Sequence, residues 1–394
     1  MNKNKLLAVS FDAIPESLDN ALHADINVHN IGRKSRAAAC SDDLSYALYE
    51  LFVKGLSGNI LDKFQVAFLF TGQGSQYFGM CKDLYDKSVL FNKHINDAAY
   101  HVNKHLDVNI LDVIYTNDNN ELINQTGYTQ PALFVIEYAL AMTWMNVGVK
   151  PDLLMGHSVG EFAAAVIAGI MSLPAGAELI SMRAKLMQDL PGGGAMAAIM
   201  ANKQVVTSYV DQLKSKFEHI DIAAVNGPKQ VVVSGSEDAV LACIDLALVD
   251  KVKARQLVVS HAFHSSLMSP MLNEFAKVAI KHDFHAPKTK LVSNLTGSFM
   301  QDAPSSSYWV DHVRLPVLFS QGVDCCVSDL PTIFIEVGPE AVLSGMASRC
   351  VAGQDNLYWL SSASRKKPAG YNYFLDNIKK AFSLGVSLNT VAVL

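Results

Sequence analysis

Little in this 394-residue sequence is suited to cross-linking, metal binding or membrane insertion. Its six cysteines (Cys40, Cys81, Cys243, Cys325, Cys326 and Cys350) form no Cys-x-x-Cys pair and no His/Cys spacing suited to zinc. That excludes a disulfide framework or zinc ribbon, and the cysteines read as reduced, mostly buried thiols of a cytoplasmic protein with no bound metal. No uninterrupted apolar stretch reaches the ~18 residues of a membrane helix. Lys3 and Lys5 precede the apolar run Leu6 to Phe11, but Asp12 stops it short of a signal sequence. Charged residues make up only 18% and the net charge is −5, without the dense Lys/Arg clusters that neutralise phosphates, so a nucleic-acid surface is excluded. With 24 Gly and 13 Pro, a long disordered tract is not expected.

What is present is apolar: half of the residues, enough for one large core and one or two smaller units. Residues 1–63 read as a small α/β unit, with a strand over Leu6 to Phe11 and a helix over Ser41 to Phe52. The main body starts at the buried-strand run Val66 to Phe70, which ends in the Gly-rich turn Thr71-Gly72-Gln73-Gly74-Ser75-Gln76. Helical patterns at Tyr85 to Ile95 and Pro131 to Val147 alternate with further strands, the order expected of a mostly parallel sheet covered by helices. After Pro191-Gly192-Gly193-Gly194 the character changes. Strands at Met196 to Met200, Ile220 to Val225, Val231 to Ser234 and Ala254 to Val258, with helices between, predict a ferredoxin-like insertion. The large-domain pattern returns with Leu291 to Ser293 and Ile333 to Val337, and Tyr371 to Phe382 closes the chain as an amphipathic helix. The expected architecture is a large α/β-hydrolase-like domain (64–193 and 262–357), a small ferredoxin-like α+β subdomain (194–261), the N-terminal unit and a C-terminal segment from 358. Asn117 to Asn120 reads as a polar loop.

The most telling stretch is Gly156-His157-Ser158-Val159-Gly160-Glu161. It sets a serine between an apolar strand and a helix-forming run, with glycines two residues away on either side so that strand and helix can approach closely. A serine nucleophile needs a base, and the partner expected is His264 in His261-Ala262-Phe263-His264, the loop after the last small-domain strand. His261 is expected to be structural, and His312 is a third histidine whose surroundings can orient the base. Arg183 lies on the second helix after the serine. Among Met and Leu such a residue often only snorkels, but turned inward its planar fork would hold a substrate carboxylate. The backbone N–H groups of Gln73 and Val159 are expected to form an oxyanion hole.

Taken together these motifs resemble the malonyl-CoA:acyl carrier protein transacylase family, in the form of a polyketide synthase acyltransferase domain. The resemblance runs in order through Phe70 to Gln76, Thr129-Gln130-Pro131-Ala132-Leu133, Gly156 to Glu161, Arg183 to Gln188, Val225-Asn226-Gly227-Pro228, His261 to His264, Ser293-Asn294-Leu295-Thr296-Gly297, Tyr308 to Pro316 and Glu336 to Pro339. It implies Ser158 as the acyl-accepting nucleophile, His264 as general base and acid, Arg183 as the carboxylate clamp, and a His312 backbone carbonyl orienting the imidazole, with Asn294 as a second residue that orients it. Phe263, His261 and Asn226 would line the acyl pocket. It also implies a CoA thioester or acyl-carrier-bound donor as substrate, the phosphopantetheine arm of an acyl carrier protein as acceptor, no bound cofactor, and a ketosynthase among the neighbouring domains. Phe263 and Val159 accompany malonyl use in that family, and polar α-substituents such as hydroxymalonyl or aminomalonyl stay open. Residues 1–63 resemble a ketosynthase-to-acyltransferase linker, which implies a domain excised from a larger synthase. Two rivals remain at this point: a serine hydrolase, whose Gly-x-Ser-x-Gly turn is shared, and a docking module without catalysis.

Overall fold

The computed structural model describes residues 61, 63–116, 121–367 and 369–387. The strand and helix expected in the N-terminal unit, the polar loop Asn117–Asn120 and the end of the tail lie outside the described residues.

The run Val66 to Phe70 is buried on both faces and forms the centre of a five-stranded sheet as β1 (Gln65–Phe70). A strand covered on both sides has no reason to alternate polar and apolar side chains. Its neighbours are β2 (Leu153–Gly156) and β8 (Thr332–Val337), with β7 (Lys290–Val292) and β9 (Leu357–Ser361) at the edges. The order is β7-β2-β1-β8-β9 and every pair is parallel. Phe70 pairs with Gly156 on one side and Val337 on the other. The turns after these three strands therefore emerge together at the carboxyl edge, where parallel sheets place their sites.

Helices α1 (Lys82–Lys87), α2 (Val89–Val102) and α3 (Ile110–Tyr115) lead to α4 (Thr126–Asn146), which is buried nearly all round. The sequence pattern predicts a start at Pro131, but the helix begins more than a turn earlier. Pro131 removes only one backbone bond, and that turn is tied by Thr129 Oγ1 to the Ile123 and Gln125 carbonyls and by Gln130 Nε2 to Thr126 Oγ1 (2.8 Å). After β2 come α5 (Gly160–Ile167) and α6 (Leu173–Gln188).

The insertion is β3 (Gly194–Ile199), α7 (Lys203–Lys214), β4 (Ile220–Gly227), β5 (Gln230–Ser236), α8 (Glu237–Val249) and β6 (Ala254–Gln256). Its antiparallel order β4-β5-β3-β6 is the ferredoxin-like arrangement. One face packs on its two helices in a core of its own, including Val206, Val210, Val231, Val233 and Cys243; Met196, Ala224 and Val232 on the other face join the large core. The chain then runs through α9 (Leu272–Ala279), β7, α10 (Ser306–Arg314), α11 (Phe319–Cys326), β8, α12 (Leu343–Cys350), β9 and α13 (Gly370–Ser383).

Drawing the C-terminal boundary at 358 cuts through β9. This strand pairs in register with β8, and Trp359 stacks on Phe334 with ring centroids 4.4 Å apart, so it belongs to the main sheet. Helix α13 also packs on the body: Phe374 meets Trp144 at 4.8 Å, and the Trp144 indole donates to Ser362 Oγ at 2.9 Å. Among the described residues, no helix is long and apolar enough to cross a membrane.

Candidate active site

Ser158 sits between β2 and α5 with φ of 51°, in the left-handed region that a side chain enters at a cost of about 1–3 kcal/mol. Close packing holds it there. A Cβ on Gly156 would come 2.1 Å from the Glu161 nitrogen, and one on Gly160 would come 2.3 Å from the Phe70 carbonyl, so both glycines are required by contact. The Ser158 amide donates to Asn294 Oδ1 at 2.7 Å, while Asn294 Nδ2 donates to the Gly156 carbonyl at 2.8 Å. Asn294, expected to help orient the histidine, instead grips the serine turn from both sides.

His264 Nε2 lies 2.8 Å from Ser158 Oγ, and its Nδ1 faces the Leu315 carbonyl at 2.9 Å. A carbonyl can only accept, so Nδ1 carries the proton and Nε2 is left as the base. The carbonyl expected from His312 is thus supplied three residues later. Leu315 caps α10 in an extended conformation, which turns its carbonyl out of the helix. The His312 ring points inward instead, 3.4 Å from Glu161 Oε2 and packed on Phe162 and Trp309. His264 also has a positive φ, 57°. Burial first, then the Arg183 charge, push its pKa well below the usual histidine value, so the imidazole is neutral at pH 7.

Arg183 is 1% exposed. Its Nη2 donates to Ser158 Oγ at 3.2 Å, its Nη1 donates to Gln130 Oε1, and its guanidinium lies 5.6 Å from the Phe162 ring centroid. Its Nε is buried without a partner, and among the described residues no carboxylate pairs with it. Burial lowers its pKa to about 9, which still leaves it charged at pH 7. A buried cation with no counter-ion is expensive by itself and receptive to an anion.

The turn after β1 lies against the serine turn. A Cβ on Gly72 would come 2.8 Å from the His157 carbonyl, and Val159 stands at the start of α5. Asn226 reaches in from β4 and its Oδ1 meets His157 Nε2 at 2.8 Å. Burial keeps that imidazole neutral by lowering its pKa. His261 is tethered, with Nε2 3.1 Å from the Leu190 carbonyl and Nδ1 3.0 Å from Ser260 Oγ; the Phe263 ring lies 6.1 Å from it. Hydrogen bonds thus join Ser158 to His264, Arg183 and Asn294 and tie Asn226 to the neighbouring His157, while His261 and Phe263 lie on the loop that carries His264. Two further members lie within the motifs above but are assigned no role there. Gln130 is a buried amide in an apolar helix. Glu161 is a fully buried carboxylate that accepts from the Asn294 amide at 2.8 Å and from the Tyr308 hydroxyl. Both are polar residues inside apolar runs, and that contrast with their neighbours is the signal the sequence carries for them.

A parallel sheet with a serine elbow, a ferredoxin-like insertion bearing the histidine loop, and an unpaired arginine at the serine define an acyl-transfer class of α/β protein. The chain belongs to the acyl transferase domain family, whose sequence model matches residues 67–386. It is 41% identical over 305 residues to the spectinabilin polyketide synthase system protein NorB of Streptomyces orinoci, covering 76% of this chain and 14% of that protein. Among solved structures it is similar to the acyltransferase domain from the second module of the salinomycin polyketide synthase (37% identity, TM-score 0.80, 88% of this chain and 81% of that one). It is also similar to a malonyl-CoA:acyl carrier protein transacylase from Xanthomonas oryzae pv. oryzae (32% identity, TM-score 0.70, 79% and 98%).

Proposed function

We propose that this acyltransferase loads a malonyl-type unit from a thioester donor, CoA or a carrier protein, onto the phosphopantetheine arm of an acyl carrier protein through an ester on Ser158. The observation that carries the reading is Arg183, a buried guanidinium 3.2 Å from the serine oxygen and without a counter-ion among the described residues. An acyl chain ending in a carboxylate supplies the missing charge just where its thioester carbonyl meets Ser158.

His264 Nε2 takes the hydroxyl proton as Oγ attacks. The Gln73 and Val159 amides receive the developing oxyanion, and the tetrahedral intermediate collapses with release of the thiol, protonated by His264. The carrier-protein thiol then attacks the ester, His264 reverses its role, and Ser158 is regenerated. Leu315 fixes the ring tautomer throughout. Phe263 takes up space beside the α-carbon and Val159 borders it, which favours malonyl over α-branched units by about 1–3 kcal/mol.

Intact mass spectrometry after exposure to malonyl-CoA, malonyl-carrier protein, methylmalonyl-CoA and acetyl-CoA tests this. A malonyl adduct that passes to a carrier protein, and is lost in Ser158→Ala, is expected. Rapid release of malonate to water with no transfer would make the chain a hydrolase instead.

A further inference from the structure

Directly beneath the Gly72–Gln73 turn lies a carboxyl group that the mechanism above does not use. Glu137, on α4, is fully buried, and its Oε1 lies 2.5 Å from Thr71 Oγ1 at the end of β1. Its Oε2 has no partner. Among the described residues no cation pairs with it. The contrast with Glu336, equally buried on β8, is instructive. Glu336 accepts three amides at the start of α12 (Val342 and Leu343 at 2.6 Å, Ser344 at 2.8 Å), which favour its anion against the burial that raises its pKa as well. Glu137 has one hydroxyl contact and a like-charged neighbour in Glu336, so the neutral acid is the form that fits. Its pKa is raised well above the carboxylate range by burial, in the same sense.

A neutral acid has a proton to give, and this sets a direction. Thr71 Oγ1 lies 3.1 Å from Ser75 Oγ, and Ser75 Oγ donates to the Gly72 carbonyl at 2.9 Å. Thr71 has little freedom to turn aside, because Gly338 presses on it so closely that a Cβ there would come 2.3 Å from Thr71 Oγ1. The Gly72 carbonyl and the Gln73 N–H belong to one planar peptide unit and point in opposite directions. Holding the carbonyl therefore aims the N–H.

We propose that protonated Glu137 is a positioning residue for acyl transfer, donating to Thr71 and, through Thr71 and Ser75, fixing the peptide whose Gln73 N–H faces the oxyanion. The proposal rests on the acyl-transfer reading of Ser158. In it Glu137 neither gains nor loses a proton during turnover; it orients a dipole before the reaction starts.

The test compares Glu137→Leu, Glu137→Gln and Ser75→Ala with the wild-type chain. Two readouts are used: the rate at which a fluorophosphonate labels Ser158, which needs an oxyanion hole but no particular acyl group, and kcat and KM for malonyl loading. Glu137→Leu and Ser75→Ala are expected to lose about tenfold in labelling and in kcat with KM unchanged, less than deleting a donor outright. Glu137→Gln, whose amide can still donate to Thr71, is expected to stay within about threefold. Melting curves identify a Leu variant that fails to fold, in which case Ser75→Ala alone decides. Wild-type labelling rates in the folded Leu or Ala variant, or a Gln variant as slow as Leu, would overturn the proposal. A wild-type serine inert to the probe would sink it together with the proposed function. Normal labelling and variant effects without malonyl transfer would sink only the function.

Discussion

Ser158 stands on the large parallel sheet and is gripped by Asn294, by two glycines in contact with neighbouring backbone, and by Arg183. His264 comes from the loop leaving the small sheet and, beyond the serine, is fixed by one carbonyl, Leu315. That carbonyl is itself tied to the small sheet, since Val317 exchanges backbone bonds with Ala223 and Val225 (2.9 and 2.8 Å). Asn226 reaches His157 from the same strand. Ser158 is thus pre-set by packing, whereas the placement of His264 depends on how the small sheet seats against the large one.

The largest test of this contrast is His264→Ala. Malonyl loading should fall by about 10²–10⁴-fold with little change in melting temperature, measured by single-turnover acylation and thermal denaturation. A matching collapse in stability would mean the base half is as structural as the other.

Next, the two asparagines should separate. Asn294→Ala leaves the buried Ser158 amide and Gly156 carbonyl unsatisfied and should cost about 1–3 kcal/mol in chemical denaturation, along with most of the acylation rate. Asn226→Ala should be milder on both counts. Equal effects would erase the distinction.

The smallest effect is on pH dependence. Because burial and Arg183 disfavour the imidazolium, the active neutral form persists as pH falls through the ordinary histidine value near 6.5, and the acid limb of kcat/KM should lie below it. The sign for stability follows: the unfolded histidine takes up a proton that the folded one refuses, so this group's contribution to stability declines as pH falls below 6.5. In Arg183→Ala the limb should move to higher pH. A limb at or above 6.5 in the wild-type chain would contradict the burial argument.

The contrast also separates what the sequence reveals from what it conceals. The serine turn is a local device, so its glycine spacing is readable along the chain, and the strand–helix alternation shows both sheets. The support of the base is not local. A backbone carbonyl has no residue signature, which is why His312 is expected where Leu315 stands, and Asn294 reads as a partner of the histidine because only folding brings it across to β2. Pro131 hides the start of α4, and β9 reads as part of the tail because a short strand beside a polar stretch gives a weak pattern.

The central claim is that Arg183 selects an acyl group by its carboxylate, and competition between malonyl-CoA and acetyl-CoA for Ser158, read by intact mass in wild type and Arg183→Ala, tests it most directly. The wild-type chain should take malonyl almost alone, while the variant should lose malonyl and gain relative acetyl loading. An unchanged preference in a folded Arg183→Ala protein would contradict the account.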